Sequence, residues 1–209
     1  METKINFEIS DLYGGDGFLR EIQEEEKVYS KTDKTTAERY KNQDIKEAKE
    51  TKTRIVTKQV NTFRKDEEGN YTQRLGGSHG KLWGSMKAAG IYLVESKNKT
   101  FLEYGVKSMA AVKRMFQTIN MSPTYPKLNG YNKEDIWIDK IPQIMAGFGN
   151  AMIIQNFDVI TKTELEMTLI YPEEYHKLIV EILKTQELIP TLNKRRSTIK
   201  VLNREIFDA

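Results

Sequence analysis

The chain has 209 residues, 38% hydrophobic and 30% charged, with a net charge of +3 and no cysteine. That length suits one domain with an elaborated insertion, and the apolar share suffices for one core. Disulfides, iron–sulfur clusters and zinc-thiolate sites are excluded without cysteine, and the two histidines, His79 and His176, exclude a histidine-rich metal site. No apolar run approaches the ~18 residues that a membrane-spanning helix needs. Met1-Glu2-Thr3-Lys4-Ile5 lacks the basic-then-apolar pattern of a secretory signal, so a cytoplasmic protein without membrane contact is expected.

Charge is unevenly spread along the chain. Residues 1–51 carry 9 Lys and Arg against 13 Asp and Glu, residues 52–115 carry 13 against 5, and residues 116–209 carry 11 against 12. A basic block of this kind supplies the electrostatics that a phosphate backbone requires.

In chain order, Lys4 to Ile9 alternates polar and apolar residues and predicts a half-buried strand, followed by the glycine-rich turn Asp11–Gly17. Residues 20–53 are dense in Glu, Lys, Thr and Asp at helical spacings and predict a charged insertion, either a solvated helix or a mobile segment. Residues 54–75 predict a β-hairpin around the turn Asp66–Asn70. Leu82, Met86 and Ala89 mark a helix that Gly90 should stop. Short strands are then expected at Ile91–Val94 and Thr100–Tyr104, and a second helix before Asn120 through Met109, Val112, Met115 and Phe116.

Residues 122–149 carry prolines and glycines and predict an irregular connection. Ala151–Val159 and Glu164–Ile170 predict paired strands, Tyr171-Pro172 opens an amphipathic helix through Leu178, Ile182 and Leu183, and Thr198–Leu202 predicts a last strand. Strand, strand, helix, strand is half of a ferredoxin-like sheet, and the first strand with the Lys81–Ala89 helix is positioned to complete it.

The candidate site is Arg74-Leu75-Gly76-Gly77-Ser78-His79-Gly80-Lys81-Leu82-Trp83-Gly84-Ser85-Met86-Lys87. Glycines permit close backbone approach, and a helix start directly afterward offers unpaired N–H groups to an anion. Arg74, Lys81 and Lys87 would add charge, with Lys58 and Arg64 on the preceding hairpin. A nucleotide-binding P-loop is excluded by spacing: three residues, not four, separate Gly76 from Gly80-Lys81, and Leu82 stands where Ser or Thr is needed.

This stretch resembles the signature loop of the RAMP superfamily, the RNA-binding proteins of CRISPR effector complexes. Leu82, Gly84, Met86 and Lys87 match the family's Leu, last Gly, apolar and basic positions, with Gly77-Ser78 set two residues early. Asn61–Leu75 is similar to the family's hairpin, Leu12-Tyr13-Gly14-Gly15 to its early glycine turn, and Ala146–Asn150 to a later glycine-rich connection. The resemblance implies an α+β, modified ferredoxin-like or RNA-recognition-motif fold with a protruding β-hairpin. It further implies a backbone subunit that grips guide RNA, with target RNA and other subunits, including copies of itself, as further partners.

Some relatives cleave RNA with an aspartate ahead of the hairpin, where this chain has Gln59-Val60-Asn61-Thr62, so no catalytic residue, metal or cofactor is expected. Arg74, Gly76, Gly77, Ser78, His79, Gly80, Lys81, Lys87, Lys58 and Arg64 are the expected RNA contacts. The competing expectations are a metal-dependent ribonuclease using Asp11 and Asp16, and an assembly protein without a nucleic-acid ligand. Trp83, Trp137, Tyr13, Tyr71, Tyr131, Phe148 and Lys194-Arg195-Arg196 are secondary candidates for base or phosphate contact.

Overall fold

The computed structural model describes residues 1–29, 50–145, 151–189, 192 and 197–208. The chain is α+β. Its strands are β1 (Glu2–Tyr13), β2 (Leu19–Tyr29), β3 (Glu50–Asn61), β4 (Arg64–Lys65), β5 (Tyr71–Thr72), β6 (Asn120–Ser122), β7 (Ile136–Met145), β8 (Ala151–Ile170) and β9 (Thr198–Val201). The helices are α1 (Lys81–Glu95), α2 (Lys99–Glu103), α3 (Met109–Gln117) and α4 (His176–Leu188). No helix among the described residues is long and apolar enough to cross a membrane.

β8 organises the sheet. Its second half pairs antiparallel with β1, which in turn pairs antiparallel with β9, and β6 pairs antiparallel with β8 along its last residues. The local order is therefore β9-β1-β8-β6. Ile5, Phe7 and Ile9 of β1, alternating as the sequence predicts, are buried with Leu165, Met167 and Leu169 of β8. Against them pack Leu82, Met86, Ala89 and Leu93 of α1 and Leu178, Ile179, Ile182 and Leu183 of α4. Burying such side chains at about 1.5–3 kcal/mol each supplies the main stabilisation.

Several predicted elements are corrected. Residues 151–170 form one continuous strand rather than a pair, because Ile160-Thr161-Lys162-Thr163 lacks any turn former and its β-branched residues favour extension. Gly90 lies inside α1 instead of ending it. A Cβ there would sit 3.2 Å from Val112 Cγ1 and 3.5 Å from Phe116, so glycine lets α1 cross α3 and α4 closely. Ile91–Val94 is the last turn of that helix, and Thr100–Tyr104 is mostly α2, nucleated by the Asn98 side chain accepting from Phe101 N at 3.2 Å.

The charged insertion is also corrected. Its described parts are strands: β2 pairs antiparallel with β3 from Leu19↔Asn61 to Tyr29↔Glu50, making a long ribbon, and residues 30–49 lie outside the described residues. Opposite charges, which suggested helix spacing, instead face across the strands, with Arg54 on Glu26 at 2.6 Å and Lys58 on Glu24 at 2.9 Å. The expected 54–75 hairpin thus divides into the second strand of this ribbon and a small β4–β5 hairpin. Residues 122–149 hold an ordered strand, β7, which pairs with the first half of β8 as a second ribbon.

The two ribbons join where β3 runs parallel to β8 at Val60↔Asn156 and Asn61↔Phe157. Asp158, 2% exposed, accepts Arg20 Nε at 2.7 Å and Thr62 Oγ1 at 2.6 Å, tying the base of the first ribbon to β8. The hydrogen bond to Asp158 raises the Arg20 pKa above its ordinary value, against the opposing effect of burial. Arg20→Ala strands a buried carboxylate and is expected to cost about 2 kcal/mol. Urea denaturation should report that loss, with Arg20→Lys intermediate because it keeps charge but not the fork.

Candidate nucleic-acid interface

The glycine loop begins at the open end of the β4–β5 hairpin. Its amides are mostly spent within the chain. Gly76 N donates to Thr124 O at 3.2 Å, Gly77 N to Met121 O at 2.7 Å and Gly80 N to Gly77 O at 3.0 Å. The first turn of α1 is closed too, since Lys81 N donates to Arg74 O and Leu82 N to Leu75 O, each at 3.1 Å. The phosphate seat expected at this helix start is therefore filled by the carbonyls of the preceding residues. Only the exposed Ser78 and His79 have backbone N–H groups without a partner among the described residues of the loop from Leu75 to Trp83.

Gly76 and Gly80 serve packing. A Cβ on Gly80 would lie 2.1 Å from Leu75 O and 2.2 Å from Gly76 O, and one on Gly76 would lie 2.3 Å from Pro123 O. Both residues are buried and present no surface to a ligand. Gly77, at φ 72°, makes the turn that swings Ser78 and His79 outward. There the Ser78 hydroxyl and His79 Nδ1 lie 2.9 Å apart.

The basic side chains also separate. The Lys81 ammonium lies 3.5 Å from Asp16, and burial pushes its pKa below the ordinary lysine value against the pull of that carboxylate. Asp16 also accepts Arg74 N at 3.1 Å, so Lys81 and Asp16 together pin the early glycine turn to the loop. Lys87 sits 5.0 Å from the Trp83 ring centre, while Trp83 packs edge-to-face on Phe116. Lys58 belongs to the first ribbon. Arg74 is exposed.

Arg64 lies 4.8 Å over the ring of Tyr125, a pair that the sequence did not signal beyond an aromatic residue between two prolines. Thr124, next to Tyr125, accepts both Leu75 N and Gly76 N, so this cation–aromatic pair adjoins the loop. Lys65 is 5.4 Å from the Tyr71 ring, and Lys127 is exposed with a loose 3.7 Å pairing to Glu68. Arg64, Lys65, Lys127 and the half-buried Tyr125 line one groove with Asp66, Glu67 and Glu68. This mixed-charge strip, in which Arg64 and Lys65 lie over aromatic rings instead of on carboxylates, adjoins through Thr124 the loop that carries Arg74 and the two open amides. The basic block of residues 52–115 is otherwise dispersed over the first ribbon and the helices.

No family model matches this sequence, and no curated protein matches it.

The open face of the sheet is unlike this strip. Lys4, Asn6 and Glu8 of β1 point away from the core, and Glu8 lies directly opposite Glu164. Lys4 pairs with Glu166 at 3.4 Å and Lys162 with Glu8 at 2.7 Å, leaving a face whose carboxylates repel phosphate.

Tyr13 is buried and donates to Asp139 at 2.8 Å, while the Tyr71 and Tyr131 rings lie tilted with centres 5.8 Å apart in an aromatic cluster with Phe63. Trp137 on β7 is 43% exposed. His176 is half-buried with Nδ1 2.9 Å from the Tyr171 hydroxyl. Phe148, Ala146–Asn150 and Lys194–Arg196 lie outside the described residues. Of the carboxylates considered for metal-dependent cleavage, Asp16 is committed to Lys81 and Arg74, and no three His, Asp or Glu side chains converge among the described residues.

Glu24 bridges the ribbons, reaching Lys58 at 2.9 Å and Lys140 at 3.1 Å. Hydrogen bonds from Lys58 and then Lys140 hold its pKa below the ordinary carboxylate value. A depressed folded-state pKa means the bridge stabilises at neutral pH and is lost as pH falls through that value. Backbone hydrogen exchange in β3 and β7, corrected for intrinsic rate, is expected to speed up as pH falls through the depressed Glu24 value and to be steady at neutral pH.

Proposed function

We propose that this chain is a non-catalytic RNA-binding subunit of the RAMP type, holding a guide-like RNA backbone along the Arg64–Tyr125–Arg74 strip. The carrying observation is the Arg64 guanidinium 4.8 Å over the ring of Tyr125, whose neighbour Thr124 anchors the glycine loop through Leu75 N and Gly76 N. Guanidinium and lysine groups attract phosphate, open amides donate to its oxygens, and the half-buried Tyr125 ring with Arg64 over it offers a cation–aromatic edge to a base. The order β9-β1-β8-β6 supports a ferredoxin-like reading, because α1–α3 connect β1 to β6 and α4 connects β8 to β9. In this view β2–β5 are an insertion between the first strand and first helix, and the β2–β3 ribbon takes the place of the protruding hairpin.

Binding is backbone-dominated and weakens steeply with salt. Fluorescence anisotropy of a labelled single-stranded RNA should give log affinity falling linearly with log salt, at about −0.7 per phosphate neutralised. The protein should also carry RNA through purification, seen as a raised ratio of absorbance at 260 to 280 nm. No binding at low salt, with the ratio of pure protein, would leave an assembly role instead. Cutting of the RNA with magnesium or manganese, abolished by Asp11→Ala or Asp16→Ala, would make the protein a nuclease.

A further inference from the structure

The fork between the ribbons is a cleft of about 890 Å³, within the range of sites that take small organic groups. We infer that this cleft receives one unstacked nucleobase of a bound RNA, read by the carboxamides of Gln59, Asn61 and Gln155. This rests on the RNA-binding function proposed above, and adds a site of base selection to a surface that grips only backbone.

The chemistry at the fork fits a base edge. Asn61 Nδ2 donates to Asn156 O and Asn156 Nδ2 to Gln59 O, both at 3.1 Å, so the floor is fixed and Asn61 Oδ1 is left without a partner among the described residues. The carboxamides of Gln59 and Gln155 have no hydrogen-bond partner among the described residues. A carboxamide offers donor and acceptor in one plane, as the edge of a base requires. Leu19 and Ile154, 53% and 65% exposed, provide apolar walls for its faces. Lys58 and Lys140 share the single carboxylate of Glu24, leaving one net positive charge for the attached phosphate.

A polypeptide strand fits less well. Pairing at this point needs free main-chain acceptors, and those of Gln59 and Asn156 are already occupied by the two asparagine side chains.

The experiment measures anisotropy of four labelled 12-nucleotide homopolymers on the parent and on Gln59→Leu/Gln155→Leu. The parent is expected to spread the four affinities by about tenfold. In the variant they should converge to within about twofold with the salt slope unchanged. Equal spreads in parent and variant, or no spread in the parent, would overturn the cleft while leaving the backbone strip standing. Absence of RNA binding by the parent would sink both.

Crosslinking of the parent by a 4-thiouridine-substituted RNA guards against a misfolded variant. Adducts on peptides containing Gln59, Asn61 or Gln155 support the site, and adducts confined to residues 64–79 refute it. Variants that change sedimentation but not RNA binding would assign the fork to a protein partner, against the inference.

Discussion

Gly80→Ala is expected to lower the thermal unfolding midpoint by roughly 10 °C, with or without RNA. The added methyl would lie 2.1 Å and 2.2 Å from two main-chain oxygens, those of Leu75 and Gly76. Neither can rotate away cheaply. Leu75 O accepts both Leu82 N at 3.1 Å and Trp83 N at 3.3 Å, so moving it releases the first turn of α1. Overpacking against backbone of this kind costs about 3–4 kcal/mol, at the upper end for an added methyl. Ser78→Ala, at an exposed position of the same loop, should leave the midpoint within about a degree. Circular dichroism melts distinguish packing from ligand approach: a Gly80→Ala protein that melts with the parent but loses RNA would show that the glycine exists for the ligand.

Arg64→Ala/Lys65→Ala/Lys127→Ala is expected to weaken single-stranded RNA binding roughly a hundredfold at 0.1 M salt and to flatten the salt dependence by about 2. Each lost phosphate contact removes ~0.7 from the slope, and the effect on affinity accumulates over the decade of salt below 1 M. All sequences should suffer alike, since the strip contacts phosphate. Lys81→Met should leave the slope unchanged, because that ammonium is engaged by Asp16 at 3.5 Å and is largely withdrawn from solvent. A slope that responds to Lys81 and not to the triple replacement would move the interface back to the helix start.

These contrasts show where local sequence carries information. Periodicity located β1, α3 and α4, because one buried face per element leaves its mark at spacings of two or near 3.6 residues. It failed for Thr100–Tyr104, where a short apolar run fits strand and helix equally and the Asn98 cap decides. It failed at residues 20–26, none of which is fully buried; the pairing with β3 holds that strand. The glycine loop was recognisable as a special conformation, but glycine spacing cannot say whether a ligand or the chain's own carbonyls fill the space around it.

Sequence alone determined the α+β class, the apolar faces of the main elements, the absence of thiol chemistry and the positive charge between residues 52 and 115. Those properties are sums or short-range patterns, so they survive without coordinates. Tertiary structure decided which charges remain available: Lys58 and Lys81 are held by Glu24 and Asp16, from segments more than thirty residues away, whereas Arg64 meets Tyr125 at the surface. It also decided that the ribbons meet at Asn61 and Asn156 and part beyond them. Contacts between distant segments depend on how the whole sheet closes, and no local pattern encodes that.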